Sequence, residues 1–435
     1  MVCAVARRRR AHLLAWRPPH LRGRPAFAVR PGPRSDRRLP VRGRLRSARP
    51  YQAHRTRLGA SVVTHPVIII GAGPAGLAAA AALRRRRINP VILEQGDAVG
   101  TSWRHRHQDL RLNTIRWLSD LPGLPIPRRA GRWVARDDYI DYLERFTRHA
   151  QLHVRCGVQA RRIDPVAGGW QITTSDGHYR SRHVVVATGH DRVPKVPDWP
   201  GRAGFQRPIQ HVATLRRAAD LAGARVLLVG AGNSSVEIAG HLINAGVQHL
   251  WMSVRTSPTI LPRQLYGVPL HPLTLALRLL PEPIRDRLAR AVAHHTFGDL
   301  RAHGLPAPRQ GPFERMRTTG VTIAIDQGFV GHLTAGRLDI VTVVDHLDGP
   351  DVVLRDGTRL QPDMVLAATG YDPGLAELVG HLDVLDHDGR PRRDAGECRS
   401  ATGLWFIGYR PAIEGSLRRI PIEARRIARA IGNGP

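Results

Sequence analysis

The stretch VIIIGAGPAGLAAAAAL (residues 67–83) decides the fold. A short apolar run comes first, a glycine-rich GAGPAG pattern follows, and an alanine-rich segment ends in arginines. This order predicts a buried parallel strand, a tight turn and a helix, which together begin a dinucleotide-binding βαβ unit. Gly71 permits the turn, Gly73 lets backbone amides approach a pyrophosphate, and Gly76 lets the helix pack closely on the strand. The start of the helix then offers amides and its positive dipole end to the phosphates.

A near copy of this stretch occurs later, as VLLVGAGNSSVEIAGHL (residues 226–242), with Ser235 in place of the third glycine. The two copies differ where the next predicted strand ends, because the first has Glu94 there and the second has Arg255. A carboxylate accepts hydrogen bonds from a ribose diol, whereas a guanidinium pairs with a 2′-phosphate. We therefore predict FAD in the first turn, and in the second NADPH in preference to NADH.

Two dinucleotide sites in one chain indicate hydride transfer from a nicotinamide to a flavin. The chain has three cysteines, Cys3, Cys156 and Cys398, which are far apart. This excludes a CxxC redox pair, a disulfide scaffold and a cysteine-held cluster, and it favours a reducing, cytoplasmic location. Oxygen or a small molecule remains as the electron acceptor.

Further apolar segments indicate how the two units share the chain. Strand patterns followed by Thr-Gly occur at 184–189 and 364–370, and alternating apolar residues at 336–344 and 351–360 predict hairpin strands around Asp356-Gly357. We predict an α/β fold with two Rossmann-like dinucleotide-binding domains, the NADPH domain inserted into the FAD domain. The predicted bounds are 1–61 for a basic, disordered extension, 62–198 for the first part of the FAD-binding domain, 199–330 for the NADPH-binding domain and 331–435 for the second part of the FAD-binding domain.

The formal net charge of +31 is uneven, since residues 1–60 hold 17 arginines and one acid, Asp36. A non-functional extension, a basic arm and a targeting peptide are the open alternatives for this segment, and the first is favoured. Nucleic-acid binding is not expected, because no recognition motif is present and aromatic residues make up only 5% of the chain. No integral membrane segment is expected either, because no run of eighteen apolar residues occurs. A homo-oligomer is compatible with the sequence.

The ordered motifs resemble class B flavin-containing monooxygenases over roughly residues 62–432. The series, far more specific than any single motif, is GAGPAG (71–76), GTSWR (100–104), LRLNT (110–114), VVVATG (184–189), GAGNSS (230–235) and LAATGYDP (366–373). Three further stretches look closest to the YUCCA-type branch of that family: VRTSPTILPR (254–263), DQG (326–328) and GLWFIGY (403–409).

The resemblance implies an activity and the roles of several residues. NADPH would reduce FAD, the reduced flavin would add O2 at C4a, and the resulting (hydro)peroxide would transfer one oxygen atom to a small organic substrate. Asn113 matches a catalytic asparagine that helps to hold the oxygenated intermediate, Ser102 and Trp103 match flavin contacts, and Ser234 matches an NADPH-phosphate contact. From the motifs and the resemblance together, the predicted cofactor-binding residues are Gly71, Gly73, Pro74, Ala75, Gly76, Glu94, Ser102, Trp103, Thr188, Gly189, Gly230, Gly232, Asn233, Ser234, Arg255, Thr369, Gly370 and Gly408.

Two alternatives stay open on the sequence alone. A reductase or NADPH oxidase would use the same cofactors without oxygen transfer. The substrate of a monooxygenase would be a small nucleophile or a 2-oxo acid, and the YUCCA-type resemblance makes the oxidative decarboxylation of an aryl-pyruvate one candidate reaction. The helix predicted after Gly415 is expected to aim its N-terminus at the flavin pyrimidine, where its dipole would stabilise negative charge.

The chain departs from the family at the signature F-x-G-x-x-x-H followed by an aromatic residue. Phe205 and His211 fit it, but Arg207 stands for the glycine and Leu215 for the aromatic residue. This disfavours the Baeyer–Villiger branch and leaves His211 with either a functional or a structural role, the structural one favoured.

No metal site is predicted from the sequence. The triplet His105-Arg106-His107 has two imidazoles, but no carboxylate or cysteine follows at a spacing typical of metal ligands.

Overall fold

The structure is a computed structural model that describes residues 64–277, 279–393, 396–398, 400–410, 412 and 415–433. The basic extension predicted for residues 1–61 lies outside the described residues. Over the described part, the strands are β1 (Thr64–Ile70), β2 (Val91–Glu94), β3 (His153–Cys156), β4 (Ala160–Val166), β5 (Gly169–Thr174), β6 (Gly177–Val186), β7 (Val193–Pro194), β8 (Ile209–His211), β9 (Arg225–Val229), β10 (His249–Ser253), β11 (Ile260–Pro262), β12 (Gln264–Leu265), β13 (Val268–Pro269), β14 (Ala324–Asp326), β15 (Asp339–Val341), β16 (Val344–Asp348), β17 (Asp351–Leu354), β18 (Arg359–Leu360), β19 (Met364–Ala367), β20 (Tyr371–Asp372), β21 (Glu397–Cys398) and β22 (Ala401–Phe406).

The helices connect these strands and cover the sheets. Over the same residues they are α1 (Pro74–Arg84), α2 (Thr101–Arg104), α3 (Arg136–His149), α4 (Asn233–Asn244), α5 (Leu273–Leu277), α6 (Glu282–Phe297), α7 (Pro312–Thr319), α8 (Phe329–Thr334), α9 (Ala376–Val379) and α10 (Ser416–Gly432), with short 3-10 turns at Arg116–Leu118, Arg128–Ala130, Arg202–Gly204, Val212–Thr214, Ala218–Leu221, Leu300–His303 and Gly380–Leu382. In the described part of the chain, no helix combines the length and the apolar character that a membrane crossing requires.

An eight-stranded sheet contains the first dinucleotide-binding turn. Its main path runs β21-β22-β6-β1-β2-β3, and the strands from β22 to β3 are parallel. The antiparallel strands β4 and β5 extend it from β6. The central strand β1 carries four consecutive buried residues, Val67 to Ile70, as expected for a parallel strand covered on both faces.

A five-stranded, fully parallel sheet contains the second turn, in the order β15-β10-β9-β19-β8. Along the chain, the strands of the first sheet come both before and after those of the second. The last helix, α10, returns to pack against α1, the helix of the first turn. Its apolar residues Leu417, Ile420, Ala424 and Ile427 are buried at helical spacing, on one face. The predicted fold, with one Rossmann-like unit inserted into another, is confirmed.

The strand pairing bears on where the inserted segment ends. β15 and β19 belong to the five-stranded sheet, although both follow residue 330, where the sequence analysis placed the boundary. The predicted hairpin is observed between β17 and β18, but the stretch 336–344 contributes β15, which pairs in parallel with β10. Apolar alternation predicts a strand but does not identify its partner. The pairing favours a boundary after β19, and the domain bounds themselves remain a prediction.

Candidate cofactor and active site

The first glycine turn is built so that larger residues do not fit. Gly71 has φ of +107°, and a Cβ there would lie 2.6 Å from the carbonyl oxygen of Ala187. A Cβ at Gly76 would lie 1.9 Å from the carbonyl oxygen of Gly71. By contrast, the space around Gly73 is open, with no described heavy atom within 4 Å of a built Cβ. The turn is therefore closed on the protein side and open on the side where a pyrophosphate would approach.

Glu94 holds this turn in place as well as ending β2. Its buried carboxylate accepts hydrogen bonds from the backbone N–H of Ala72 at 2.7 Å and of Gly96 at 2.9 Å. A carboxylate has about four lone-pair sites, so it can still accept from a ribose hydroxyl. The ribose contact of Glu94 is a prediction from the sequence, whereas its bonds to the turn are seen only in the structure.

Other predicted flavin contacts lie around the same turn. Gly100, which precedes α2, donates its N–H to the carbonyl oxygen of Ala72 at 3.1 Å, so α2 is tied to the turn. On α2, Ser102 is exposed, and Trp103 is half-buried with its ring centroid 4.7 Å from that of Tyr139.

The end of the chain returns to this region. A Cβ at Gly408 would lie 3.3 Å from the Cβ of Ala75, which follows Pro74 in the first turn of α1. The turn, Glu94, α2 and Gly408 thus form one continuous region beside the first sheet.

The second turn repeats this construction with a different neighbour. Gly230 has φ of +123°, and a Cβ there would lie 2.5 Å from the carbonyl oxygen of Ala368. Gly232, like Gly73, has no described heavy atom within 4 Å of a built Cβ. Ser235, which replaces the third glycine, is fully buried. The predicted tight turn is therefore present at both places.

The two Ala-Thr-Gly segments follow β6 and β19 and are the neighbours of the two turns. Thr188 Oγ1 lies 2.8 Å from the hydroxyl oxygen of Tyr409, and Gly189 is half-buried beside it. Thr369 donates its hydroxyl to the carbonyl oxygen of Lys195, and the carbonyl oxygen of Gly370 faces His211.

His211 has a structural role in this arrangement. Its Nδ1 accepts from the N–H of Ala213 at 3.1 Å, which makes Nε2 the protonated nitrogen that donates to the Gly370 carbonyl at 3.0 Å. Burial lowers the pKa of this imidazole, so the neutral form is favoured. His211 therefore ties β8 to the segment after β19.

The residues predicted for the NADPH phosphate do not share one environment. Arg255 is exposed, and Ser234 is half-buried at the start of α4. Asn233 is engaged within the protein, since its Nδ2 donates to Thr322 Oγ1 and to the carbonyl oxygen of Ile323, and its Oδ1 accepts from the N–H of Ile325. It fixes the start of α4 to β14.

A second arginine, Arg315 on α7, lies close enough to Arg255 for the Arg255 charge to affect it. Burial lowers the pKa of Arg315, and the positive charge of Arg255 lowers it further. Arg315 also donates to the carbonyl oxygen of Ser257 at 2.6 Å. Two nearby guanidinium groups of like charge suit an anion such as a phosphate. Arg315 is not among the residues predicted from the sequence, because it lies 60 positions from Arg255 in an unrelated segment.

Asn113 is held by two residues from distant segments. Gln327 donates from Nε2 to Asn113 Oδ1 at 3.0 Å, and its Oε1 accepts from Arg263 Nη1 at 2.9 Å. Arg263 also donates to the carbonyl oxygen of Leu112 at 2.6 Å and stacks 4.0 Å from the ring centroid of Trp133. Burial lowers the pKa of Arg263 to about 10. These contacts fix both the amide of Asn113 and the backbone next to it.

The sequence held a signal for this network. Arg263 and Gln327 belong to VRTSPTILPR and DQG, two of the stretches that carried the resemblance, although neither residue was predicted to be in the site.

The N-terminus of α10 lies beside Thr114, the residue after Asn113. A Cβ at Gly415 would lie 3.0 Å from Thr114 Oγ1 and 2.9 Å from His271 Nε2. That this helix start faces the flavin remains a prediction.

Comparison with known proteins identifies the family. The model of a family described as pyridine nucleotide-disulphide oxidoreductase matches residues 68–275. The indole-3-pyruvate monooxygenase YUCCA1 of Oryza sativa subsp. japonica is 34% identical over 349 residues, which cover 79% of this chain and 86% of the relative. The indole-3-pyruvate monooxygenase YUCCA6 of Arabidopsis thaliana is 31% identical, covering 85% and 90%. The chain belongs to the YUCCA-type flavin monooxygenases. It is a flavin-dependent monooxygenase whose cofactors are FAD and NADPH, and O2 and a small molecule are its substrates.

Similar solved structures agree on the fold. A flavin-containing monooxygenase from Stenotrophomonas maltophilia matches with a TM-score of 0.66 at 23% identity, covering 85% of this chain and 98% of that one. A bacillithiol disulfide reductase from Bacillus cereus matches with a TM-score of 0.61 at 19% identity, covering 85% and 99%. Monooxygenases and reductases thus share this architecture, and the choice between them rests on the sequence relatives.

Proposed function

We propose that this YUCCA-type monooxygenase acts on a small 2-oxo acid and releases its carboxyl carbon. The 2-oxo acid, O2, NADPH and one proton would give the carboxylic acid one carbon shorter, CO2, NADP⁺ and water, which balances in atoms and electrons. The relatives described above are named for indole-3-pyruvate, itself a 2-oxo acid. The predicted aryl-pyruvate reaction is thereby preferred over amine and sulfide oxidation.

The charge of one cavity supports an anionic substrate. A cavity of about 720 Å³ lies between α6, α7, the 386–392 segment and the start of α10. Two acids and six arginines line it, and the arginines are Arg285, Arg317, Arg390, Arg392, Arg410 and Arg419. Tyr409, whose hydroxyl meets Thr188 behind the first turn, also lines it. Three of these arginines are already paired with acids: Arg317 with Glu282, Arg392 with Asp383 and Arg419 with Glu423. The arginines still outnumber the acids around the cavity, and a net positive charge favours entry of a carboxylate.

The two turns support the assignment of one cofactor to each. We infer that the first turn with Glu94 holds FAD, and that the second turn with Arg255 and Arg315 holds NADPH. Both turns fit a dinucleotide. In each, a Cβ on the first glycine would collide with a carbonyl oxygen of the protein, whereas the space beside the second glycine is open to a ligand. When bound, the cofactors supply hydride transfer and the activation of O2. The protein positions them and excludes water.

The contacts of Asn113 are the observation that carries the catalytic assignment. Gln327 occupies its Oδ1, so the Nδ2 amide is left as the donor for an oxygen atom at the reacting centre. A donor held by a packed network is already oriented and therefore costs little reorganisation when charge develops. Thr114, the residue after Asn113, lies beside the N-terminus of α10, whose dipole would add a positive potential in this region.

The test compares the consumption of NADPH and O2 with product formation. FAD-loaded protein is given phenylpyruvate or indole-3-pyruvate, and in parallel an amine and a sulfide. We expect equal consumption of NADPH and O2, with equal formation of the shortened acid, for the 2-oxo acids alone. Product from the amine or the sulfide only would contradict the substrate class. Hydrogen peroxide without product from any compound would instead support the reductase or oxidase alternative.

A further inference from the structure

A partly buried cluster of two histidines and a glutamate lies outside the cofactor contacts described above. His107, in the segment between α2 and Asn113, lies against Glu237 and His241 of α4. One ligand atom from each of the three lies within 4.8 Å of the other two, and among the described residues no other group of three or more His, Cys, Asp or Glu residues is so arranged. Glu237 and His241 are four residues apart on a helix, which places them on one face.

The hydrogen bonding of this cluster is incomplete. His107 Nε2 lies 3.7 Å from Glu237 Oε1, and His241 Nε2 lies 3.9 Å from the same oxygen, so both separations are too long for hydrogen bonds. Within the described chain, Glu237 Oε1, His241 Nε2 and His107 Nδ1 are buried and have no hydrogen-bond partner. The side chains of His107 and Glu237 are about nine-tenths buried. A buried carboxylate without a compensating partner is costly.

The donor set suits a divalent transition metal. Burial lowers the pKa of His107, which favours the neutral imidazole that metals bind, although Glu237 and Asp109 act in the opposite sense and Arg106 and His241 in the same one. Two imidazoles and one carboxylate are typical zinc ligands, with metal–ligand bonds of about 2.0–2.2 Å and ligand atoms therefore about 3.3 Å apart. The observed separations exceed this by under about 1.5 Å, within the reach of side-chain adjustment.

We propose that His107, Glu237 and His241 form a binding site for a divalent transition-metal ion of the zinc type, which joins the segment before Asn113 to the helix of the second turn. The sequence alone predicts no metal site. It does not reveal this one because Glu237 and His241 are more than a hundred residues from His107 along the chain. The ion would neutralise Glu237. It would also fix the position of α4 relative to the loop that already bonds to Arg216 through the N–H of Gln108.

The consequence for the monooxygenase is structural. Glu237 is close enough to Arg263 for its charge to affect that guanidinium, and Arg263 holds Gln327 and through it Asn113. If the bound ion neutralised Glu237, the carboxylate would attract the Arg263 guanidinium less. Arg263 would then keep its contact with Gln327. The ion therefore acts as a cross-link that positions residues and takes no part in the oxygen chemistry.

The experiment measures metal binding directly, with FAD content as the check that each variant is folded. FAD-loaded wild type and the variants His107→Ala, His241→Ala and Glu237→Gln are freed of metal with a chelator and titrated with Zn²⁺ and with Co²⁺. We expect about one tightly bound ion per wild-type chain, a visible Co²⁺ spectrum of low coordination number, and a Zn²⁺-dependent rise in Tm. All three signals should be absent in the histidine variants and weakened in Glu237→Gln.

A matched control addresses binding to the many other histidines of the chain. His249 makes an exposed pair with Asp339, with 2.9 Å between Nε2 and Oδ2, so His249→Ala removes a similar histidine–carboxylate pair elsewhere. It should bind Zn²⁺ as wild type does. The proposal is overturned if the histidine variants of the cluster bind the ion as tightly as wild type, or if wild type binds no more than a weak, non-stoichiometric amount. Either result would make the cluster a metal-free contact between α4 and the loop.

Discussion

The two glycine turns have the same backbone geometry, but different side chains hold the segments behind them. In both, a Cβ on the first glycine would collide with the carbonyl oxygen of the alanine in an Ala-Thr-Gly segment, Ala187 in one case and Ala368 in the other. Behind the first turn, Thr188 meets the hydroxyl of Tyr409. Behind the second, a titratable side chain, His211, holds Gly370. On the assignment proposed above, the common part would serve the pyrophosphate, and the differences would adapt each turn to its own cofactor.

The acidic and basic residues also divide between the turns. Glu94 is buried and bonded to the backbone of the first turn, so it is part of the turn itself. Arg255 comes two residues after Ser253, whose carbonyl oxygen accepts from the N–H of Gly230, and Arg315 donates to the carbonyl oxygen of Ser257. We therefore expect changes at the first turn to affect retention of a tightly held cofactor, and changes at the second to affect the exchange of a diffusing one.

The largest expected effects come from Gly71→Ala and Gly230→Ala. Each adds a Cβ within 2.6 Å of a carbonyl oxygen at a positive φ, which costs about 1–3 kcal/mol or displaces the turn. Gly71→Ala should lower FAD content after purification, whereas Gly230→Ala should keep FAD and raise the KM for NADPH roughly tenfold to hundredfold. Flavin absorbance per chain and NADPH kinetics measure the two effects.

The control for this pair is Gly204→Ala, because Gly204 has no described heavy atom within 4 Å of a built Cβ. It should match wild type in both measurements. If Gly71→Ala and Gly230→Ala gave the same pattern, the assignment of one cofactor to each turn would be wrong.

The second effect concerns the choice of nicotinamide. Arg255→Ala and Arg315→Ala each remove a charged donor worth about 1.5–3 kcal/mol, so the KM for NADPH should rise roughly tenfold to hundredfold while that for NADH stays unchanged. Arg301→Ala, which removes an exposed arginine paired with Asp299, is the control. Equal effects on NADPH and NADH would contradict a 2′-phosphate contact.

Some of the residues in these predictions could be located from the sequence, and others could not. The turn at Gly71, the helix after it and Glu94 follow one another within about one βαβ unit, so local patterns were sufficient to place them. Arg315 and the partners of Asn113 could not be placed this way, because they arrive from segments that meet only in the folded chain. The parallel pairing of β15 with β10 was missed for the same reason.

A third and smaller effect tests the support of Asn113. Gln327→Glu keeps the oxygen that accepts from Arg263 but removes the Nε2 donor to Asn113, at a cost of about 0.5–1.5 kcal/mol. Product formed per NADPH should fall roughly twofold to tenfold, with flavin reduction by NADPH unchanged. Gln361→Glu, at an exposed glutamine bonded to Asp351, is the control. An unchanged ratio of product to NADPH in Gln327→Glu would show that Asn113 does not depend on this bond.

The smallest effect is a pH dependence confined to the second turn. Burial lowers the pKa of His211 below the ordinary value of 6.5, with Arg106 lowering it further and both Asp191 and the Gly370 hydrogen bond raising it. The unfolded chain therefore takes up the proton first as the pH falls below 6.5, and the folded state loses stability until the folded pKa is passed. The hydroxyl pair behind the first turn has no charge to gain in this range.

His211→Gln keeps an N–H donor for Gly370 but cannot titrate, so the fall in Tm between about pH 7.5 and about pH 5.5 should be smaller than in wild type. Other histidines whose pKa is lowered by burial, such as the half-buried His183, keep part of the fall in both proteins. An identical fall in the two proteins would mean that His211 is not neutral in the folded state, and the supports of the two turns would then be alike in their response to acid.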